Sequence, residues 1–240
     1  MSPKEQTDTN RSGVSTTGLL MPTEFPVAAY ERIHAKVQPL RDASPAAMNE
    51  FAGAWNAISY RYVAFVECDE AFRNSLAAHG TAPPALERYN QERDLFGFFS
   101  NGFSTFESFF YAAFAMLCLL KPNDFQIGTP QQQRNVTGTN TVSAYRRAFT
   151  PNSIIEALET LLKDPTYVEL REIRNILSHR SAPGRTIHVA FGDEPAPDQW
   201  KIANIVLNER TTFTRRQGVA VTLTKAITAL LQFAEQQLRV

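Results

Sequence analysis

The chain has 240 residues, 43% apolar, 20% charged and 11% aromatic, and its 24 Lys plus Arg are balanced by 24 Asp plus Glu. This length buries a full core in one large domain or two small ones, and zero net charge excludes a protein that coats nucleic acid by bulk charge, though not one with a local basic site. The two cysteines, Cys68 and Cys118, lack CxxC spacing and fall in apolar helical patterns; they give no zinc signal and read as free buried thiols of a reducing compartment.

In chain order, residues 1–24 are polar and rich in Ser and Thr, without periodicity, and read as a disordered tail. No basic segment followed by an apolar run marks a secretory signal. The longest apolar run, "FFYAAFAMLCLL", is too short to cross a bilayer. The expectation is a cytoplasmic protein with no membrane partner. Residues 25–240 read as a single helical domain. A short helix covers about 27–40. A long one covers about 46–78, with Ser44 as cap, Pro45 at its first position and Gly80 as its stop. Met48, Phe51, Trp55, Ile58, Tyr62 and Phe65 recur along it at steps of three and four, marking one buried stripe.

The next predicted helix, about 84–120, carries Phe96, Phe99, Phe103, Phe106 and Phe110 as a heptad-like seam that reads as core rather than as the lining of a pocket. Gly97 and Gly102 are candidate bends. Residues 121–140 form a polar loop, long enough to be mobile or functional. Helices follow at about 151–163, with Thr150 as cap and Pro151 first, and at about 165–181, restarted by Asp164-Pro165. The period then changes. "TIHVAF" (186–191) and "QWKIANIVL" (199–207) read as a β-hairpin spanning about 186–207, with "TTFT" a candidate third strand. The last helix, about 218–238, places Val221, Leu223, Ile227, Leu230, Leu231 and Phe233 toward the core. The fold class is all-α: a helical bundle of about five to six helices with a small β-hairpin insertion.

"LREIRNILSHRSAPG" (170–184) is the stretch that asks for more than packing. At about 100° per residue, Leu170, Ile173 and Leu177 share one face, flanked by Ile176. Arg171, Asn175, Ser178 and His179 share the other, with Arg174 at its edge. Asn175 sits one turn before His179 and can orient it. Arg174 lies five residues before His179, about 140° away in projection. The two can converge near the helix end, more easily if an identical helix faces them across a dimer axis. A solvated face, with Arg and His placed where the helix dipole favours cations, is the alternative.

Arg174-Asn175-Ile176-Leu177-Ser178-His179 resembles the signature of the HEPN superfamily, in which a bundle helix carries Arg, a polar residue that is often Asn, and then a His. Glu107, inside "FSTFESFFYAAF", is similar to the acidic residue of the first core helix of such proteins. The likeness covers about 84–182 and the last helix; the β-hairpin and the N-terminal helices depart from it.

The resemblance implies a HEPN-like bundle and a metal-independent endoribonuclease, without cofactor, that leaves a 2′,3′-cyclic phosphate. An imidazole titrates near neutrality and suits proton transfer; a guanidinium suits a charged phosphorane-like transition state. His179 would be the acid/base and Arg174 the phosphate and transition-state stabiliser. Asn175 and Ser178 would orient or bind substrate, Arg171, Arg180 and Arg185 would hold RNA locally, and Glu107 would support an Arg of the motif helix. The implied partners are RNA or nucleotide, a second copy of the chain in a homodimer and, for a toxin or defence effector, an antitoxin-type protein. His188, on a predicted strand, and His34 and His79, near helix ends, are weaker candidates. No P-loop, HExxH, GxSxG or zinc spacing occurs. Two alternatives stay open: a catalytically inactive HEPN-like module that binds nucleotide, RNA or a protein, and an unrelated helical interaction protein in which Arg174 and His179 are only surface residues.

Overall fold

A computed structural model describes residues 11–14, 18, 20–22, 24–149, 151–179, 181–186 and 199–238. Its spine is a pair of long antiparallel helices, α2 (Pro45–His79) and α3 (Ala85–Leu120). Label α1 is Val27–Val37, which runs into a 3-10 turn at Gln38–Leu40. Helix α2 starts at Pro45 as predicted, but Ser44 occupies the cap position without a side-chain capping hydrogen bond; Gly80 ends the helix at φ 66°, a conformation that glycine adopts freely. All six residues of the α2 stripe are buried.

The seam on α3 needs correction. Phe99, Phe103, Phe106 and Phe110 are buried, but Phe96 is 43% exposed, and Phe98 and Phe109, outside the seam, are fully buried. Neighbours cover α3 on more than one side, so a single stripe does not capture its core. Nor do Gly97 and Gly102 bend it, since the helix runs unbroken through both. Their role is close approach. A Cβ at Gly97 would lie 2.6 Å from Cys68 Sγ, and one at Gly102 would lie 2.8 Å from the Phe65 ring.

Residues 121–140 are not a plain loop. They hold α4 (Pro130–Arg134), closed by a capping box between Thr129 and Gln132, and the start of α5 (Gly138–Ala148), capped by Thr137. Helix α6 (Ser153–Lys163) is capped by Asn152, so it starts later than the predicted Thr150-Pro151; Thr150 itself lies outside the described residues. Helix α7 (Pro165–His179) begins where Asp164-Pro165 predicts.

The last helix, α8 (Glu209–Gln237), begins nine residues before the predicted start. Asn208 and Thr211 form a capping box, and "TTFT" is its first turn, not a strand. Val221 is 54% exposed; the other five predicted core residues of this helix are buried.

The predicted hairpin is a three-stranded antiparallel sheet. Its strands, named in chain order after the N-terminal pair, are β3 (Gly184–Thr186), β4 (Gln199–Ile202) and β5 (Ile205–Val206), paired in that order. A turn at Ala203, φ 49°, splits the predicted 199–207 strand in two. Residues 187–198, with His188, lie outside the described residues. Within the predicted tail, β1 (Arg11–Val14) pairs with β2 (Leu20–Pro22), and Met21 is buried.

Aromatic side chains hold the bundle together, and each buried ring contributes roughly 1.5–3 kcal/mol. Tyr30 of α1 stacks on Trp55 of α2 at 4.7 Å, and each donates to the other's backbone carbonyl. Phe103, Phe106 and Phe110 surround Tyr167 of α7 at 5.4–6.0 Å. Arg216 of α8 is buried, donates to Asp69 and Glu70 of α2 at 3.2 and 3.3 Å, and pairs with Glu24. By length and composition α3 could cross a membrane, and 72% of its most apolar window is packed inside the protein.

Candidate functional site

Asp164 fixes α7 in place. One carboxylate oxygen accepts from the Thr166 backbone N–H at 2.8 Å, and the other accepts from the Thr222 hydroxyl of α8 at 3.2 Å. Tyr167, Leu170 and Ile173 are buried below, and Ile176 and Leu177 pack half-buried against the core. This is the predicted inner face. Outward, Arg171, Ser178 and His179 are exposed, while Arg174 and Asn175 are half-buried. The helix ends at His179, two residues before the predicted end, and the Ser181 N–H donates back to Ile176 O at 3.1 Å.

Arg174 turns toward α3. Its Nη2 donates to Glu107 Oε1 at 3.0 Å, and its guanidinium lies 4.5 Å from the centre of the Phe103 ring. Its Nε is buried with no hydrogen-bond partner. Glu107 is itself 46% exposed, and its second oxygen accepts from Ser104 at 3.2 Å. The pairing of Glu107 with an arginine of this helix is present, then, but on a partly open carboxylate rather than a buried one. Stacking and ion pair together set the direction of the guanidinium.

His179 stands apart from this cluster. Among the described residues its side chain has no hydrogen-bond or ionic partner, Asn175 included, and no hydrogen bond or ion pair joins it to Arg174. The two residues lie about 140° apart in helical projection, and the Arg174 guanidinium is turned toward Glu107 and Phe103 of α3. Arg180 lies outside the described residues.

Arg185 is not available to hold RNA. Its guanidinium stacks 3.7 Å from the Trp200 ring, donates to Gln91 at 3.1 Å and to Thr81 O, and pairs with Glu92 at 3.5 Å, leaving the side chain 5% exposed. It fastens the sheet to α3. His79 is exposed at the end of α2 and His34 is half-buried in the last turn of α1. Among the described residues no group of three His, Cys, Asp or Glu side chains is placed to hold a metal ion.

Beside Arg174 opens a cleft of about 590 Å³ that the sequence did not announce. Arg171 and Glu107 border it, together with Arg61 of α2, whose Nη1 donates to Ser104 O at 3.0 Å and to the Ser108 hydroxyl. A lone arginine inside the apolar "AISYRYVAF" was the available signal. Burial raises the pKa of Tyr167, on the cleft floor, so its hydroxyl stays protonated.

Compared with family models, curated proteins and solved structures, the chain has no match in any of the three. The HEPN resemblance therefore rests on residues 174–179 and on the helix that carries them.

Proposed function

We propose that the protein is a HEPN-like, metal-independent endoribonuclease that works as a homodimer. The observation that carries this reading is the division of labour on α7. Arg174 is a cation held in a set direction by Glu107 and Phe103, and His179 is an exposed imidazole with no partner among the described residues. Two copies of α7 facing each other would bring His179 of one chain toward Arg174 of the other.

The RNA 2′-oxygen attacks the adjacent phosphorus and the P–O5′ bond breaks. His179 removes the 2′-OH proton or donates one to the departing 5′-oxygen. Arg174 donates to the non-bridging oxygens as charge gathers on them. Asn175 and Ser178 orient the imidazole or the phosphate, and Arg171, which is exposed, takes a neighbouring phosphate. The products are a 2′,3′-cyclic phosphate and a 5′-hydroxyl. A toxin or defence role with an antitoxin-type partner belongs to the same proposal, and growth arrest on expression, relieved by His179→Ala, is its cellular signature.

One observation favours a second reading. Arg174 already spends Nη2 on Glu107 and has its guanidinium over the Phe103 ring, which suits a bundle that binds RNA or nucleotide without cutting it. The deciding experiment is RNA cleavage in EDTA by wild type, Arg174→Ala and His179→Ala. Cleavage by wild type that falls about 10²-fold or more in each variant supports the nuclease. Equal activity in all three removes Arg174 and His179 from catalysis. RNA binding without cleavage, weakened by Arg174→Ala, favours the binding module.

A further inference from the structure

The cleft beside α7 is a built cavity with an unequal balance of hydrogen-bonding groups. Its floor is aromatic, made by Phe103, Phe110 and Tyr167. Its far wall is α2, where Gly53, Ala54 and Ala57 stand in place of larger side chains. Glycine in a helix interior is unfavourable relative to alanine. At Gly53 no packing explains it, since a Cβ there would meet nothing within 4 Å. The effect is to keep the cavity open, and its volume of about 590 Å³ lies in the range of small-molecule sites.

The acceptors at the mouth are already satisfied. Glu107 receives Arg174 at 3.0 Å and Ser104 at 3.2 Å. Glu50 receives the Tyr111 hydroxyl at 2.8 Å and Gln133 at 2.9 Å. The donors are not. Among the described residues, Arg61 donates through Nη1 only. Arg171 lies 5.9 Å from the centre of the Tyr167 ring and, among the described residues, has no hydrogen bond or ion pair. Glu107 is paired with Arg174 from outside the cleft, and Arg61 and Arg171 outnumber the one remaining carboxylate, Glu50, so cationic donors are in excess over the aromatic floor.

We propose that this cleft binds a small amphipathic organic anion, its apolar body on Phe103, Phe110 and Tyr167 and its phosphate or carboxylate head on Arg61 and Arg171. Bidentate arginine contacts suit either head. The proposal uses neither Arg174 nor His179; it shares Arg171 with the RNA reading, and its test reads anion binding, not RNA cleavage, so the two can fail separately.

Isothermal titration of the full chain with phenyl phosphate, phenylacetate and the neutral benzyl alcohol tests it. The expected result is one anion per chain, with at least one of the two anions binding tenfold or more tightly than benzyl alcohol. Gly53→Leu fills the cavity from α2 and should abolish that binding without lowering Tm; Ala57→Leu provides the same block one turn on. Arg171→Gln should weaken anion binding at least tenfold and leave benzyl alcohol unchanged. Absence of anion binding at millimolar concentration, binding that survives both leucine variants, or equal affinity for benzyl alcohol would each overturn the proposal.

Discussion

Glu107 and Phe103 act on the same guanidinium in different ways, and their removal should separate charge from packing. The Glu107–Arg174 pair is partly solvated, so Glu107→Gln is expected to cost only about 0–1 kcal/mol. Phe103 is 4% exposed and supports both Arg174 and Tyr167, so Phe103→Ala should cost roughly 3–5 kcal/mol. Chemical denaturation of the two variants checks the contrast. The cysteines give a pH-dependent test. Burial pushes the Cys68 thiol up to about 11 and the Cys118 thiol up to about 12. Above about pH 9 the unfolded chain gives up these protons while the folded chain keeps them, so stability should fall as pH rises through 9–11. Only Cys118 is buried as expected, Cys68 being half-buried, so at pH 8 Cys118 should resist iodoacetamide until urea is added; rapid alkylation of Cys118 in the folded protein would contradict its burial. At this scale the sequence made the outward face of α7 legible, because helical projection needs only spacing. It misassigned Arg185, because the pairing of Arg185 with Trp200 across two strands depends on a register that composition does not reveal.

Helices with strong local signals were the legible elements. Ser44-Pro45, Gly80 and Asp164-Pro165 each mark a boundary through backbone chemistry that acts within a few residues. The start of α8 was hidden because its first turn, "TTFT", is rich in β-branched residues, while the capping box that starts it is made by Asn208 and Thr211. Helix α4 was hidden in polar sequence because a threonine capping box, with no buried residue, defines it, and the start of α5 was hidden because Thr137 caps it ahead of its buried Val142, Ala144 and Tyr145. Between elements, buried charge sets the tolerance. Asp69 is fully buried and faces Arg216 at 3.2 Å, so Arg216→Met should destabilise by roughly 3–5 kcal/mol, and Asp69→Asn in the same chain should recover part of that loss. Paired urea titrations of the single and double variants measure it; equal loss in both would mean that Asp69 is held by Arg73 alone.

For the whole molecule, a site shared between two copies makes a quantitative demand. Mix Arg174→Ala and His179→Ala chains in equal amounts. Half of the dimers are then mixed, and each holds one intact site, so activity should return to about a quarter of wild type. No recovery would confine any activity to a single chain. The all-helical class was legible from period alone, whereas the cleft was not: it arises where Gly53 and Ala57 of α2 meet Tyr167 of α7, far apart in sequence. The two tryptophans carry a last consequence. Trp55 is locked between α1 and α2, and Trp200 sits beneath Arg185 in the sheet; both are fully shielded from water. They are built-in fluorescent reporters of two separate seams. In Trp55→Phe and Trp200→Phe chains, each with one emitter left, the red shift from Trp200 should come at lower denaturant than that from Trp55, timing the release of the sheet before the bundle melts.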